Sequence, residues 1–415
     1  MYRISTNMTN DDMQFHMRSR EYLMNRLQNQ MAGQSKIQNL RDDPIAAAHS
    51  TRFQSYAYRL ERYSDNMEYA QNHLRVSEGY VRQAVDMLQR VRELAVQGAN
   101  GTYSQQDLMA MGKEVNELLD EFVQIANAQD GEGGTLFSGT RSRTLPFRAI
   151  TGNVPGAGES VITNVDYVGD IRSRSTEVAD GAYVEISTPG NRIFWAENQQ
   201  VYSTVDASTY QVQEDSTIYV DDYPVNLTVG DNAYAIINKI NQSEAAVRAR
   251  LDPVQNGIVL ETTTPHQIWL RDGEGSTVLQ DLGLIVEGDL APPGNLAPSA
   301  DSFGGSMFDM IINLRDQLYA GNTLDIGGKA LRGIDDAMNN LLSNVADIGA
   351  RDARIQVAYR RNESEIPLVR DMNSNMVDPD MAESITELRI LEYTHRAAVG
   401  VAGRILSPTL LEFLR

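Results

Sequence analysis

The chain of 415 residues contains no cysteine. Without thiols it can form no disulfide framework, no cysteine nucleophile and no zinc site that depends on sulfur ligands. Cysteine-free chains occur in oxidising and in reducing compartments, so this absence does not identify the compartment. The length is typical of two to three domains, and a hydrophobic content of 41% is enough for a folded core.

Basic residues are scarce, with 36 Lys and Arg against 56 Asp and Glu, which gives a formal net charge of -20. This balance argues against a protein that binds the phosphate backbone of nucleic acids, since such proteins concentrate Lys and Arg. The acidic excess is concentrated in residues 150–303. We expect the two nearly balanced ends to pack on each other and the acidic middle to remain hydrated.

Long apolar runs are also missing, and no stretch approaches the roughly 20 residues that cross a bilayer. The first ten residues are polar and show no apolar core of a secretory signal peptide. We therefore expect no membrane partner. The protein should stay in the cytoplasm or leave by a route that needs no cleaved signal.

The sequence lacks the common catalytic and cofactor motifs. Its five histidines are dispersed, no zinc-protease or nucleophile-elbow motif occurs, and the glycine-rich segments lack the lysine of a phosphate-binding loop. Four acidic pairs are expected next to turns or helix starts, where carboxylates cap N–H groups: Asp11-Asp12, Asp42-Asp43, Asp221-Asp222 and Asp335-Asp336. We expect no enzyme activity, no cofactor and no metal.

The strongest structural signals in the sequence are two long heptad patterns. The first predicts a helix that starts at Pro44, is capped by Asp43 and ends at residues 98–101, in a turn that tolerates left-handed backbone. The second predicts a helix over residues 331–376, with a kink or weak point at Pro367. The apolar seam of the first, from Phe53 to Gly98, is as long as that of the second, from Leu331 to Met376, which predicts that the two helices pack on each other as a rod. The seam positions are Phe53, Leu60, Met67, Leu74, Val81, Leu88, Leu331, Met338, Val345, Ile355 and Tyr359.

Shorter patterns predict the elements between these helices. A capping box of Ser104 and Asp107 should start a helix that ends at residues 131–134. Alternating Val, Ile, Tyr and Thr predict strands at residues 182–186, 192–195 and 217–220, with one helix over 233–249. The expected fold class is α+β, with long N- and C-terminal helices that pair as a coiled-coil-like bundle and an inserted β-rich middle.

These patterns suggest five segments and an assembling molecule. The segments are a terminal helix and export region (1–42), the N-terminal part of the rod (43–149), the acidic β-rich domain (150–303), the C-terminal part of the rod (304–379) and a terminal helix (380–415). Apolar stripes at both ends have no partner except each other, which favours self-assembly. The candidate contact residues are Met381, Leu388, Leu391, Ile405, Leu411 and Phe413.

Several segments resemble the flagellin superfamily of bacterial axial proteins. Residues 92–104 (RELAVQGANGTYS) look like the superfamily signature at the first interhelical turn, and residues 40–48 (LRDDPIAAA) resemble the start of the long helix. The Asp43-Pro44 pair, residues 134–140 and the ending at 405–414 are closer to the hook–filament junction branch. Residues 218–222, 236–241, 257–260 and 282–284 resemble the flagellin IN module, at about 215–286.

The resemblance implies a structural adaptor of the bacterial flagellum, exported without a cleaved signal peptide. As partners it implies identical subunits in a ring, a companion junction protein on the hook, the flagellin of the filament, and an export chaperone on residues 381–415. The flagellum could be external or periplasmic. Two alternatives stay open, namely a flagellin that forms the filament itself and a flagellin-like chain with an enzyme or adhesin domain in its middle.

Overall fold

A computed structural model describes residues 6–286 and 294–406 of the chain. These residues form two compact units. The first consists of the described residues up to Asp65 together with those from Tyr359 onward, and the second is Asn66–Ala358. The helices are α1 (Thr6–Ala32), α2 (Pro44–Gly98), α3 (Gln105–Ala126), α4 (Gly190–Ile193), α5 (Ala233–Gln242), α6 (Val278–Asp281), α7 (Met307–Ala320), α8 (Thr323–Asp325), α9 (Leu331–Val377) and α10 (Met381–Leu406).

The predicted start and end of the first long helix are confirmed. The Asp43 carboxylate accepts hydrogen bonds from the N–H groups of Ile45 and Ala46 at 3.1 and 2.9 Å, so it caps α2 directly before Pro44. The turn at 98–101, predicted as one that tolerates left-handed backbone, does not use that conformation, because no residue of 98–101 has a positive φ. Gly98 serves close packing instead, since a Cβ there would lie 2.6 Å from the Leu318 side chain.

In the second unit, α2 and α9 run antiparallel. Arg75 pairs with Asp352 at 3.8 Å, and Arg92 pairs with Asp335 at 2.6 Å. Seventeen positions separate the two arginines, and the same number separates the two aspartates in the opposite direction. A π-helical turn, Ile326–Ala330, leads into α9, which continues through Pro367 to Val377.

Helix α3 begins as predicted but ends earlier. The capping box is confirmed, with Ser104 as the N-cap and Asp107 as its reciprocal partner. The predicted end at 131–134 is wrong, because α3 ends at Ala126. The Asn127 side chain forms hydrogen bonds of 2.9 Å with both the N–H and the carbonyl of Phe147, which draws the chain onto the first strand.

The described residues of the β-rich middle form four antiparallel sheets. They are the hairpin β1–β2, the hairpin β3–β4, the three-stranded sheet β10-β6-β7 and the four-stranded sheet β11-β5-β9-β8. The strands are β1 (Phe147–Asn153), β2 (Ser160–Tyr167), β3 (Ser175–Ala179), β4 (Ala182–Glu185), β5 (Gln200–Ser203), β6 (Ser216–Val220), β7 (Tyr223–Leu227), β8 (Val247–Leu251), β9 (Ile258–Thr262), β10 (Leu270–Asp272) and β11 (Ala300–Phe303). The strands predicted at 182–186 and 217–220 are therefore confirmed as β4 and β6.

Two predictions for the middle are wrong. Residues 192–195 form no strand; they follow the start of the short helix α4, and Ile193, Phe194 and Trp195 are all buried, whereas a strand would alternate. The helix predicted over 233–249 is only α5, after which the chain turns into β8. The turn is held by the Asn241 amide, which bonds both the N–H and the carbonyl of Ala249 at 2.8 and 2.9 Å.

Two large clusters of buried side chains lie within the described part of the second unit. One is an aromatic cluster with mostly edge-on or tilted ring contacts, built from Phe122, Phe137, Phe147, Tyr167, Phe194 and Phe308. The other is an aliphatic cluster between Val201 and Ile285, to which α5 and both larger sheets contribute. The predicted fold class is confirmed, since long N- and C-terminal helices frame a β-rich middle.

Candidate assembly surface

The helices from the two ends of the chain meet in the first unit. In α1, Arg20 donates a hydrogen bond of 3.1 Å to the carbonyl of Thr394 in α10. The neighbouring Glu21 lies 3.8 Å from the ring nitrogen Nε2 of His395. The segment after α1 is tied to α9, because the Lys36 N–H donates to the Val377 carbonyl at 2.6 Å. Helices far apart in sequence thus form one local bundle.

Polar contacts also join α2 and α9 within the first unit. The Tyr56 hydroxyl donates to Glu365 at 2.5 Å, and this hydrogen bond to a carboxylate is the main reason that the pKa of Tyr56 is raised. Arg370 pairs with Glu61 at 2.6 Å. The buried Asn362, a polar position of the α9 seam, donates to the Leu60 carbonyl at 3.4 Å. These contacts set how the two helices align in this unit.

The first unit exposes an unusual share of large apolar side chains. It holds fewer than a third of the residues, yet half of the large hydrophobic side chains that the described residues leave exposed belong to it. Apolar area in contact with water is costly, and contiguous patches of it mark association sites. We call this set the terminal apolar surface: Phe15, Tyr22, Leu23, Leu40, Ile45, Tyr58, Leu368, Met372, Met376, Met381, Ile385, Ile390, Tyr393, Val399 and Val401.

The predicted seam residues differ in burial between the two long helices. In α2, five of the six are buried (Leu60, Met67, Leu74, Val81 and Leu88), while Phe53 is half-buried. In α9, Ile355 is fully buried, and Leu331, Met338, Val345 and Tyr359 are half-buried. The α9 seam thus keeps part of its apolar area in contact with water.

The predicted contact residues of the C-terminal helix are only partly described. Met381 is exposed and belongs to the terminal apolar surface, whereas Leu388 and Leu391 are half-buried. The side chain of Ile405, and Leu411 and Phe413 as a whole, lie outside the described residues. Sequence reasoning missed Phe15, Leu368 and Met372. All three lie off the apolar seams that the heptad spacing marks, and the pattern does not say whether a partner covers an apolar residue outside a seam.

Two of the acidic pairs, Asp221-Asp222 and Asp335-Asp336, do not cap helices. Asp221 and Asp222 form the tight turn between β6 and β7 with φ values of 51° and 66°. The buried Asp221 accepts a hydrogen bond from the Trp269 N–H at 3.0 Å and lies 2.8 Å from His266. Asp335 lies inside α9 and pairs with Arg92. The expectation of a turn or a helix start is therefore confirmed for Asp221-Asp222 and wrong for Asp335-Asp336, which lie inside a helix.

The described residues contain neither a membrane-spanning helix nor a cluster of metal ligands. Within residues 6–286 and 294–406, no helix combines the length and the apolar character needed to cross a bilayer. The described side chains also include no group of three or more His, Asp or Glu placed to hold a metal ion.

Comparison with protein families identifies two segments of this chain. Residues 4–142 match the bacterial flagellin N-terminal helical region, which spans α1, α2 and α3. Residues 213–264 match the flagellin hook IN motif, which includes β6, β7, α5, β8 and β9. The resemblance to the flagellin superfamily is confirmed over these segments.

Individual relatives are flagellar proteins of two kinds. Flagellin FlaB1 of Treponema pallidum (strain Nichols) is 35% identical over 119 residues, which are 29% of this chain and 42% of FlaB1. Flagellar hook-associated protein 3 of Escherichia coli (strain K12) is 28% identical over 137 residues, 33% of this chain and 43% of that protein. The chain thus spans less than half the length of these relatives.

A solved structure gives a similar match. The crystal structure of flagellar hook associated protein-3 from Legionella pneumophila aligns with 79% of this chain and 98% of its own chain, at 21% identity and a TM-score of 0.46.

Proposed function

We propose that this chain, which carries the flagellin N-terminal helical region and the flagellin hook IN motif, is a structural adaptor between the hook and the filament of a bacterial flagellum. The observation that carries the proposal is the terminal bundle. It joins the matched helices α1 and α2 to α9 and α10 and leaves the terminal apolar surface in contact with water. The relative named hook-associated protein 3 supports the choice of role.

The terminal bundle is suited to a structural role in an assembly, one that involves no catalysis. Burying a large apolar side chain contributes about 1.5–3 kcal/mol of stability. Copies of the chain that cover one another's terminal apolar surface would therefore be stabilised by the sum of many such burials. Polar contacts such as Tyr56–Glu365 align α2 and α9 before any partner arrives. A ring of identical subunits would transmit force through packed helices, with no substrate, cofactor or catalytic step.

The partners follow from this role. On one side the ring would contact a companion junction protein of the hook, and on the other the first flagellin subunits of the filament. The acidic β-rich middle would face outward, where its negative charge keeps copies hydrated and apart. Before assembly, a secretion chaperone would cover residues 381–415, since α10 exposes Met381, Ile385, Ile390 and Tyr393.

A second candidate function is that of a flagellin that forms the filament itself. It is favoured by flagellin FlaB1, whose identity of 35% over 119 residues exceeds that of hook-associated protein 3. Both candidates need the same helical bundle, so the helices do not separate them. The position of the protein on the flagellum would distinguish the two candidate functions.

Immunogold electron microscopy of isolated flagella tests the adaptor proposal, with flagella from a strain that lacks the gene as the control. We expect one cluster of label between the hook and the filament. Label along the whole filament would establish the flagellin alternative. Label at the tip only would indicate a cap, and an absence of label would contradict a flagellar role.

The chaperone proposal has its own test. A chain truncated after Asp380 and the full-length chain are each co-expressed with the candidate export chaperones of the same bacterium. We expect only the full-length chain to retain a chaperone through purification. Equal retention by the truncated chain would show that the contact lies elsewhere.

A further inference from the structure

The turn between α2 and α3 contains an exposed Asn–Gly pair, Asn100 and Gly101. In the part of the chain that the structure describes, neither the Asn100 side-chain amide nor the Gly101 N–H has a hydrogen-bond partner. The Thr102 N–H donates to the Asn100 carbonyl at 2.7 Å, so the chain folds tightly around Gly101. Because Gly101 has no Cβ, its nitrogen can approach the preceding side chain closely.

We propose that Asn100 is a site of spontaneous covalent modification, at which its side-chain amide is converted to aspartate and isoaspartate. The Gly101 nitrogen loses its proton and attacks Cγ of Asn100. A new N–Cγ bond forms, the Cγ–Nδ2 bond breaks, and Nδ2 leaves as ammonia with that proton. Water then opens the cyclic imide. Attack at Cγ gives aspartate, and attack at the backbone carbonyl carbon gives isoaspartate.

A second Asn–Gly pair in the same chain provides an internal comparison. Asn256 and Gly257 lie in the turn between β8 and β9, and there both residues are held. The Asn256 N–H donates to the Asp252 carbonyl at 2.9 Å, its carbonyl accepts from Ala207 at 3.0 Å, and its side chain bonds the Asp206 carboxylate. Gly257 is packed so closely that a Cβ would lie 1.8 Å from the Ser203 carbonyl oxygen. The Asn100 backbone is also hydrogen-bonded, to the Gln97 carbonyl and from the Thr102 N–H, but among the described residues its side chain has no partner and a Cβ at Gly101 would meet no atom within 4 Å. The rearrangement that the imide requires is therefore opposed more strongly at Asn256 than at Asn100.

The modification would change the matched flagellin region in a defined way. It adds one negative charge just after Gly98, at the C-terminal end of α2, where the helix dipole is itself negative. The isoaspartate product also lengthens the backbone of the turn. Both effects weaken the end of α2, so older copies of the protein would differ from new ones at this turn.

Peptide mapping of the purified full-length chain tests the proposal. The protein is incubated in mildly alkaline buffer, and samples taken over time are digested and analysed by mass spectrometry, with isoaspartate detected by enzymatic methylation. We expect the mass shift of amide to acid in the Asn100 peptide, with a rate that rises with pH, since the deprotonated nitrogen is the nucleophile. The Asn256 peptide should change much more slowly.

The variant Gly101→Ala is the matched control. A Cβ at Gly101 meets no atom within 4 Å and the φ of this residue is not positive, so the variant should fold. The added methyl group hinders attack, and conversion at Asn100 should fall to the level seen at Asn256. Unchanged conversion in Gly101→Ala, equal conversion at Asn100 and Asn256, or an unmodified Asn100 peptide would each overturn the proposal.

Discussion

The Tyr56 hydroxyl and the Glu365 carboxylate lie 2.5 Å apart, although 309 positions separate them in the chain. Tyr56 is in α2 and Glu365 is in α9, so this hydrogen bond joins the N-terminal and C-terminal helices of the first unit. It also raises the pKa of Tyr56, because an ionised tyrosine would face the negative charge of Glu365 without a proton to share.

Removing this hydroxyl should loosen the pairing of the two helices. We expect Tyr56→Phe to lower the free energy of unfolding by about 1 kcal/mol, the usual net contribution of one such hydrogen bond. Urea denaturation followed by circular dichroism measures the change. Tyr58→Phe is the matched control, since Tyr58 is 70% exposed on the same helix and should tolerate the loss of its hydroxyl. Equal effects of the two variants would show that the Tyr56–Glu365 contact does not stabilise the unit.

Replacing each of two glycines of α2 with alanine should change the free energy of unfolding in opposite directions. At Gly98 a Cβ would lie 2.6 Å from the Leu318 side chain, so Gly98→Ala should destabilise the second unit by about 1–3 kcal/mol through overpacking. At the exposed Gly79 a Cβ meets no atom within 4 Å, and Gly79→Ala should stabilise by about 0.5–1 kcal/mol through helix propensity. Denaturant midpoints of the two variants measure both effects. Stabilisation by Gly98→Ala would mean that Leu318 moves aside at little cost.

The buried His73 should make the second unit sensitive to mild acid. Its ring donates from Nδ1 to the Ile186 carbonyl at 2.9 Å and accepts at Nε2 from Arg174 at 2.6 Å, which requires the neutral form. Burial, and then the charge of Arg174, lower the pKa of His73 below 6.5. Above this value both the folded and the unfolded chain carry a neutral ring. As the pH falls through about 6.5, only the unfolded chain takes up a proton, and stability declines.

The variant His73→Gln isolates this contribution, because its amide can replace both hydrogen bonds and does not titrate. Thermal unfolding is measured for the parent and the variant at several pH values between neutral and mildly acidic. We expect the melting temperature of the parent to fall more steeply. Parallel curves would show that His73 is not responsible for the acid sensitivity.

The terminal apolar surface should control incorporation into the flagellum. Met372 is 53% exposed on α9, and Met372→Glu should leave folding intact while reducing the amount of protein in isolated flagella, since a charge would be buried on assembly. Val254→Glu is the control, because Val254 is 85% exposed between β8 and β9. Immunoblots of purified flagella measure incorporation, and circular dichroism checks the fold. Normal incorporation of Met372→Glu would exclude this position from the interface.

Much of the helical fold was predictable because its signals are local. The Asp43 cap and the Ser104–Asp107 capping box contact groups within a few residues, and the heptads of α2 are a periodicity that can be seen in one segment of the chain. The middle was less predictable. Alternation of apolar residues correctly indicated β4 and β6, but the same reasoning predicted a strand where Ile193 and Phe194 enter a shared core.

The candidate surface was predictable only in part. Apolar stripes at both ends of the chain indicated association, and the heptad spacing correctly placed the buried Leu60 on a seam, but it gave no reason to select Met372, which lies off the α9 seam and is exposed. A heptad pattern shows only that one face of a helix is apolar. Whether that face is covered within the chain depends on the number and alignment of neighbouring helices.

The sequence by itself determined where the long helices begin, which segments resemble flagellin and where negative charge accumulates, because each is a property of residues near one another in the chain. The tertiary structure decided the rest. Asn127 ends α3 through Phe147, Gly98 is needed because of Leu318, and Asp221 binds Trp269 rather than capping a helix. These outcomes depend on contacts between residues far apart in sequence, and a close contact or an unpaired polar group exists only once the chain has folded.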